Sequence, residues 1–389
     1  MVCDRACKGD EILSEAYLDN AATTKVCEES IEAAGRMMRE CYGNPSSLHH
    51  MGVSSAREMN RSRQTVAELL GCEPESVCFT SGGSESNNLA IFGTAAAKAR
   101  RGKKAVTTAA EHSSVAAAMR RLEELGWEVT WLKPDAGGAL SVQQLVEAVD
   151  GQTSLVSVMM VNNETGAIFP VEQAARQIHQ KNPQTVVHCD GVQAFGKLPL
   201  RIARTEIDLM SLSGHKICAP KGSGALYIRR GVRIRPLIYG GGQEKGLRSG
   251  TESLPMIAAL GAACARLQGQ IPAFYRRTAE LNLYLRRKLE EIEEVCINSP
   301  ENASPYILNF SVLGWRAETM LHFLESRQVY VSSGSACSKG ATSPVLTAMG
   351  LSRKAVDGAL RVSMIYDTQK EELDQLVLAL KDGIMTVAH

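Results

Sequence analysis

Residues 208–216 read Asp208-Leu209-Met210-Ser211-Leu212-Ser213-Gly214-His215-Lys216, a short apolar run that closes on a turn of small residues and delivers one lysine. A run of this length bounded by glycine reads as a buried strand, and in α/β proteins ligands bind beyond the carboxyl ends of the strands. Lys216 is thereby put where chemistry happens. Alone, such a turn is more often an ordinary surface loop, so its neighbours decide the reading.

Upstream, Gln184 to Cys189 is another short apolar run, ending in Asp190 with Gln193 three residues later. The spacing to Lys216 leaves room for one return connection between neighbouring strands. A carboxylate and a lysine then share one sheet edge. Pyridoxal phosphate chemistry needs this pair: a lysine for the aldehyde, and an acid that keeps the pyridine nitrogen protonated so that the ring withdraws electrons.

Nine stretches follow one another between residues 17 and 338: YLDNAATT, YGNPSS, FTSGGSESNNLA, AEHSSV, VNNETG, HCDGVQAFGK, SGHK, RSGTES and SSGSACS. Together they resemble the cysteine desulfurases of the NifS/IscS type, which are fold-type I pyridoxal-phosphate enzymes of the class V aminotransferase family. The resemblance covers nearly the whole chain. It implies an α/β fold: a large domain with a mainly parallel seven-stranded-type sheet and a small α+β C-terminal domain. It also implies conversion of L-cysteine to L-alanine, with the sulfur held as a persulfide and passed to an acceptor for iron-sulfur cluster assembly, tRNA thiolation or a similar use.

Composition agrees with that picture. A chain of 389 residues buries a large core and exceeds one domain's usual size. Its 43 basic and 42 acidic side chains leave a formal charge of +1, which carries no polyanion signature and argues against nucleic acid. The eleven cysteines are scattered, and Cys72, Cys78, Cys189, Cys218 and Cys264 stand in apolar contexts where a reduced thiol acts as a small hydrophobe. Residues 1–16 are too polar for a secretory signal, and no apolar run approaches the roughly 20 residues of a membrane span. A reduced, cytoplasmic protein is expected. Cys3 and Cys7 lack a second pair at zinc-like spacing, so no metal is expected.

Along the chain, residues 1–26 read as an arm that packs with the small domain, 27–270 as the cofactor domain and 271–389 as the small domain. Apolar spacing predicts a helix from Val53 to Leu70, stopped by Gly71. A strand at Ser76–Phe79 runs into Thr80-Ser81-Gly82-Gly83-Ser84 and a helix from about Glu85, an arrangement that cradles phosphate on free amides and the positive helix end. Strands at 104–109, 127–132 and 154–161 alternate with helices at 114–125 and 142–149, the pattern of a mainly parallel sheet covered on both faces. The run through Ile228 reads as an edge strand of that sheet. Helices are predicted at 255–267, 272–295, 317–326, 353–360 and 369–384, with strands at 307–312 and 329–331.

The resemblance assigns roles residue by residue. Lys216 and His112 move protons, and His112 also stacks on the cofactor ring. Asp190 holds the pyridine nitrogen and Gln193 the ring oxygen. Gly83, Ser84, Ser213 and His215 take the phosphate, Thr251 reaches the phosphate of a partner subunit in a homodimer, Asn163 lies beside cofactor and substrate, and Arg361 takes the substrate carboxylate. Cys337 lies in Ser332–Ser343, a loop mostly of small residues that offers no apolar wall to bury a thiol, and it is the nucleophile candidate.

Three departures stand out. Ile365 occupies the usual glycine position of Arg-x-Ser-x-Gly, which predicts an altered backbone beside the carboxylate anchor. Gly191 replaces a common alanine, and the loop after Cys337 is short. Three alternatives to cysteine desulfuration follow: selenocysteine lysis, transamination that needs no cysteine, and a scaffold that has lost turnover through Ile365.

Overall fold

The computed structural model describes residues 15–333 and 343–386. The arm enters as β1 (Ala16–Tyr17). Seven strands then build one sheet: β2 (Val77–Thr80), β3 (Lys104–Thr108), β4 (Glu128–Leu132), β5 (Thr153–Met159), β6 (Val186–Asp190), β7 (Leu209–Ser213) and β8 (Gly224–Ile228), in the spatial order β2-β8-β7-β6-β5-β3-β4. All are parallel except β8. The central strands β5, β6 and β7 are buried at every residue, whereas β4 at one edge is not. This is the burial of a sheet covered on both faces, and it explains why the sequence shows continuous apolar runs rather than alternation.

A second sheet comes from the C-terminal third. Its strands are β9 (Val295–Ile297), β10 (Ile307–Val312), β12 (Ser332–Ser333) and β13 (Ala359–Ser363), in the antiparallel order β12-β13-β10-β9. A separate strand, β11 (Val329–Tyr330), pairs in parallel with β1 of the arm. Ala16 and Leu18 are thereby buried in one apolar cluster with Leu285, Phe310, Leu360 and Leu380. Helix Leu254–Leu267, almost free of charge, packs on helices Glu28–Arg39 and His50–Leu70, whereas the next helix, Ile271–Glu290, packs against β9 and helix Lys370–Thr386.

The sheet departs from the sequence reading at β8. It is no edge strand: it lies between β2 and β7 and bonds to both. A short apolar run looks the same at an edge and inside a sheet, and here a short return after β7 slots the strand in antiparallel. The helix expected over 353–360 ends at Asp357, because the Gly358 carbonyl accepts from Val312 N (3.0 Å) and hands the chain to β13. The helix expected to 295 stops at Glu290, leaving Val295 to open β9. Helices Glu28–Arg39 and Val171–Lys181 were not foreseen. No described helix is long and apolar enough to cross a membrane.

Candidate active site

Strands β6 and β7 are paired in register with Asp190 opposite Ser211, so Asp190, Ser213 and the one-turn helix Gly214–Lys216 leave the sheet at the same end. Asp190 is buried. One of its oxygens accepts from Asn87 Nδ2 (2.8 Å) and the other from the Val192 amide (3.0 Å). Asn87 stands on helix Gly83–Lys98 and also donates to Ser114 Oγ (2.9 Å), tying three elements around the carboxylate. Lys216 Nζ donates to the carbonyls of Ala21 and Ala22, 2.6 Å each, so the arm reaches the lysine.

His112 caps helix Ser113–Glu124, and its Nδ1 accepts from the Ser114 amide (3.2 Å). A backbone N–H only donates, so a neutral His112 carries its proton on Nε2. Burial lowers its pKa; Asp190 works against that and Lys216 with it. The ring is therefore neutral near pH 7. Next to it in the chain, Glu111 is buried, with one oxygen bonded to Thr108 Oγ1 (2.8 Å) and the Met159 amide (3.1 Å) and the other without a partner. Burial pushes its pKa up to about 8.

The turn before helix Gly83–Lys98 has the features of an anion cradle. Gly82 holds φ +149°, which side-chain-bearing residues rarely adopt, and a Cβ on it would come within 3.8 Å of Ser213 Oγ. The Ser213 hydroxyl is buried and has no partner. His215, bonded to Thr23 Oγ1 (3.3 Å), has its pKa lowered to about 4 by burial and then by Lys216, Lys221, Lys197 and His112. An unpaired hydroxyl, a helix start and the nearby ammonium groups of Lys216 and Lys221 suit a dianionic phosphate. With Asp190 and Lys216 alongside, these residues fit pyridoxal phosphate. Gln193 is buried beside them, its Nε2 donating to the Ala21 carbonyl (2.9 Å).

Arg361, on β13, is also buried rather than exposed. Its guanidinium donates to Asp19 Oδ1 (2.7 Å) and the Asn163 carbonyl (2.9 Å), and its Nε has no described partner. Thr251 is exposed on the loop before helix Leu254–Leu267. Cys337, like Cys3 and Cys7, lies outside the described residues. The flanks of its segment are described: Ser332 pairs with Arg361 across β12 and β13, and Ser343 Oγ donates to the carboxylate of Glu164, next to Asn163. Burial raises the Glu164 pKa to about 7.

Two of the departures acquire a physical account. Ile365 is outside the positive-φ region, and its amide bonds Thr368 Oγ1 (2.9 Å), so this chain turns there without the conformation that would demand glycine. A Cβ at Gly191 would come within 2.1 Å of Met210 Cε, so Met210 fills the space that an alanine methyl would take. Cys78, Cys189, Cys218 and Cys264 are buried free thiols and Cys72 is partly buried. Asn87, Glu111, Lys197 and Asp19 were not singled out from sequence, although each stands inside a quoted motif.

The aminotransferase class-V family model matches residues 16–376. The chain belongs to that family. Among its relatives, a protein named cysteine desulfurase 2 from Trichormus variabilis is 40% identical over 94% of this chain and 92% of its own length. A cysteine desulfurase IscS from Methanosarcina thermophila is 38% identical over 95% and 93%. A solved NifS-like protein superposes with a TM-score of 0.91 at 36% identity, covering 96% of this chain and all of its own. Another, described as SspA in complex with cysteine, gives 0.81 at 33% identity, over 90% of this chain and 99% of that one. Membership in the cysteine desulfurase branch, the fold-type I architecture and the pyridoxal phosphate cofactor go with these relatives.

Proposed function

We propose that the protein is a cysteine desulfurase that transfers the sulfur of L-cysteine to Cys337 and releases L-alanine. The observation that carries the reading is the convergence of Lys216, Asp190 and buried Arg361 with both flanks of the Cys337 segment.

Bound pyridoxal phosphate supplies an electron sink for charge developing on the substrate α-carbon. Lys216 would supply the amine for its aldehyde, and Asp190 would hold its ring nitrogen. Gln193 would face the ring oxygen, while Gly83, Ser84, Ser213 and His215 would hold the phosphate. Arg361 binds the substrate carboxylate through its planar fork and Asn163 lies alongside. Lys216 Nζ and His112 Nε2 hold and move the protons. The Cys337 thiolate attacks the substrate sulfur: the carbon–sulfur bond breaks, a sulfur–sulfur bond forms, and the carbon takes up a proton to give alanine. Thr251 serves the phosphate of the other subunit in a homodimer, and the persulfide passes to an acceptor such as an iron-sulfur scaffold.

Purified protein loaded with pyridoxal phosphate should show a visible-edge band that borohydride removes, and should release equimolar alanine and sulfide from L-cysteine with a reductant. Cys337→Ser should keep the band and lose sulfide. Sulfide release by that variant at the parental rate would refute the assignment of Cys337, and transamination without sulfide would refute the activity.

A further inference from the structure

Lys197 is 4% exposed, and among the described residues no carboxylate pairs with it. Its ammonium-bearing end instead donates to Gln193 Oε1 at 2.8 Å and stands 5.8 Å from the centre of the Tyr306 ring. Gln193 in turn donates through Nε2 to the Ala21 carbonyl (2.9 Å), the same oxygen that accepts from Lys216 Nζ (2.6 Å). A continuous chain of hydrogen bonds therefore links a buried lysine to the active-site lysine through one glutamine and one carbonyl of the arm.

Chemistry fixes the direction of every bond. The Ala21 carbonyl only accepts, so Gln193 must turn its NH2 toward it and its oxygen toward Lys197. A lysine donates there, so both ends of the amide agree on one orientation, and the amide's second hydrogen is left on the side of Nε2. Without Lys197, the Oε1 of Gln193 would be a buried acceptor with no donor, and the amide would lose one of the two contacts that set it.

We infer that Lys197 is a positioning residue for the cofactor: it locks the Gln193 amide in the orientation that presents its N–H to the ring oxygen of pyridoxal phosphate. The inference rests on the function proposed above and adds a residue that the reaction does not otherwise need. Lys197 suits the role because it brings little charge. Burial, with Lys216 and Arg361 reinforcing it and Cys218 opposing, brings its pKa down to about 7, so near neutrality it donates without adding a full cation beside Lys216.

A double-mutant cycle on the affinity for pyridoxal phosphate tests this, read by absorbance titration of the cofactor-free proteins and independent of turnover. With Gln193 present, Lys197→Met should weaken binding about tenfold, the value of one buried hydrogen bond. In a Gln193→Ala background the same change should weaken it by less than about twofold, because the residue through which Lys197 acts is gone. Lys197→Gln, which keeps a donor, should retain most of the parental affinity and stands in should the Met variant fail to fold. Equal losses with and without Gln193, or parental affinity in Lys197→Met, would overturn the inference while leaving the proposed function intact. A parental chain that takes up no pyridoxal phosphate would overturn both.

Discussion

Replacing Ser213 by alanine should move stability and cofactor affinity in opposite directions. The Ser213 side chain is 2% exposed and its hydroxyl has no partner among the described residues. An unsatisfied buried hydroxyl costs about 1–3 kcal/mol. Removing it from the cofactor-free protein should therefore raise stability by roughly 1 kcal/mol, once the lost packing of the oxygen is set against the gain. In a chain of 389 residues that is little more than about one degree in Tm, so a urea midpoint is the better measure. With pyridoxal phosphate the same change removes a donor to a charged acceptor, worth about 1.5–3 kcal/mol, and the dissociation constant should rise about 10- to 150-fold. Both quantities come from one protein preparation, by urea titration of the cofactor-free form and absorbance titration with the cofactor. A Ser213→Ala protein that is less stable and binds the cofactor as tightly as the parent would refute the cradle, because the hydroxyl would then be a structural group.

Arg361→Lys should raise KM for L-cysteine and lower kcat/KM by roughly 100-fold, since an ammonium lacks the fork that grips a carboxylate, while the cofactor band stays unchanged; an unchanged KM would remove Arg361 from substrate binding. Glu111→Gln should flatten the pH dependence of stability. With its folded pKa raised from 4.5 to about 8, Glu111 favours folding fully below about pH 4.5 and loses that contribution as pH rises to about 8, so urea midpoints of variant and parent should meet at low pH and separate above it. Mixing Lys216→Ala chains with Thr251→Ala chains should restore one tight cofactor site per mixed dimer if Thr251 serves the partner subunit, and verified mixed dimers without that site would show that it serves its own chain.

The central pair of strands was legible because β6 and β7, buried along their whole length, leave short apolar runs whose length and flanking glycines favour strand over helix. Asp190 and Lys216 followed from it, each placed by a strand end. Position within the sheet was not legible: β8 carries the same kind of run wherever it sits, and only its bonds to β2 and β7 make it internal. Arg361 shows another limit. The helix expected over 353–360 takes in Ala359 and Leu360, the first two residues of its run, and what makes Ala359–Ser363 a strand is pairing with β10, some fifty residues away in the chain. Asn87 and Lys197 escaped notice because their meaning lies in partners, the Asp190 carboxylate and the Gln193 amide, rather than in any local pattern. The amphipathic helix Glu28–Arg39 did carry a local signal, with buried Ser30, Ala34 and Met37 at helical spacing, and was missed beside the stronger motifs around it.

Residues 19–24 explain why the site needs both sheets. The carbonyls of Ala21 and Ala22 take the amine of Lys216, the Asp19 carboxylate takes the guanidinium of Arg361, and Asn20 donates to the Ser363 carbonyl (3.0 Å) while Thr24 donates to that of His215 (3.0 Å). One short stretch thus contacts both cations on which the proposed chemistry turns, Lys216 just beyond β7 and Arg361 on β13. Any ligand for either cation competes with an acceptor already in contact. Binding of a substrate carboxylate at Arg361 is then a difference between two ion pairs rather than the gain of one, and the net affinity is smaller than the buried pair alone would give. The same competition confers selectivity, because a ligand without a carboxylate gains nothing from displacing Asp19.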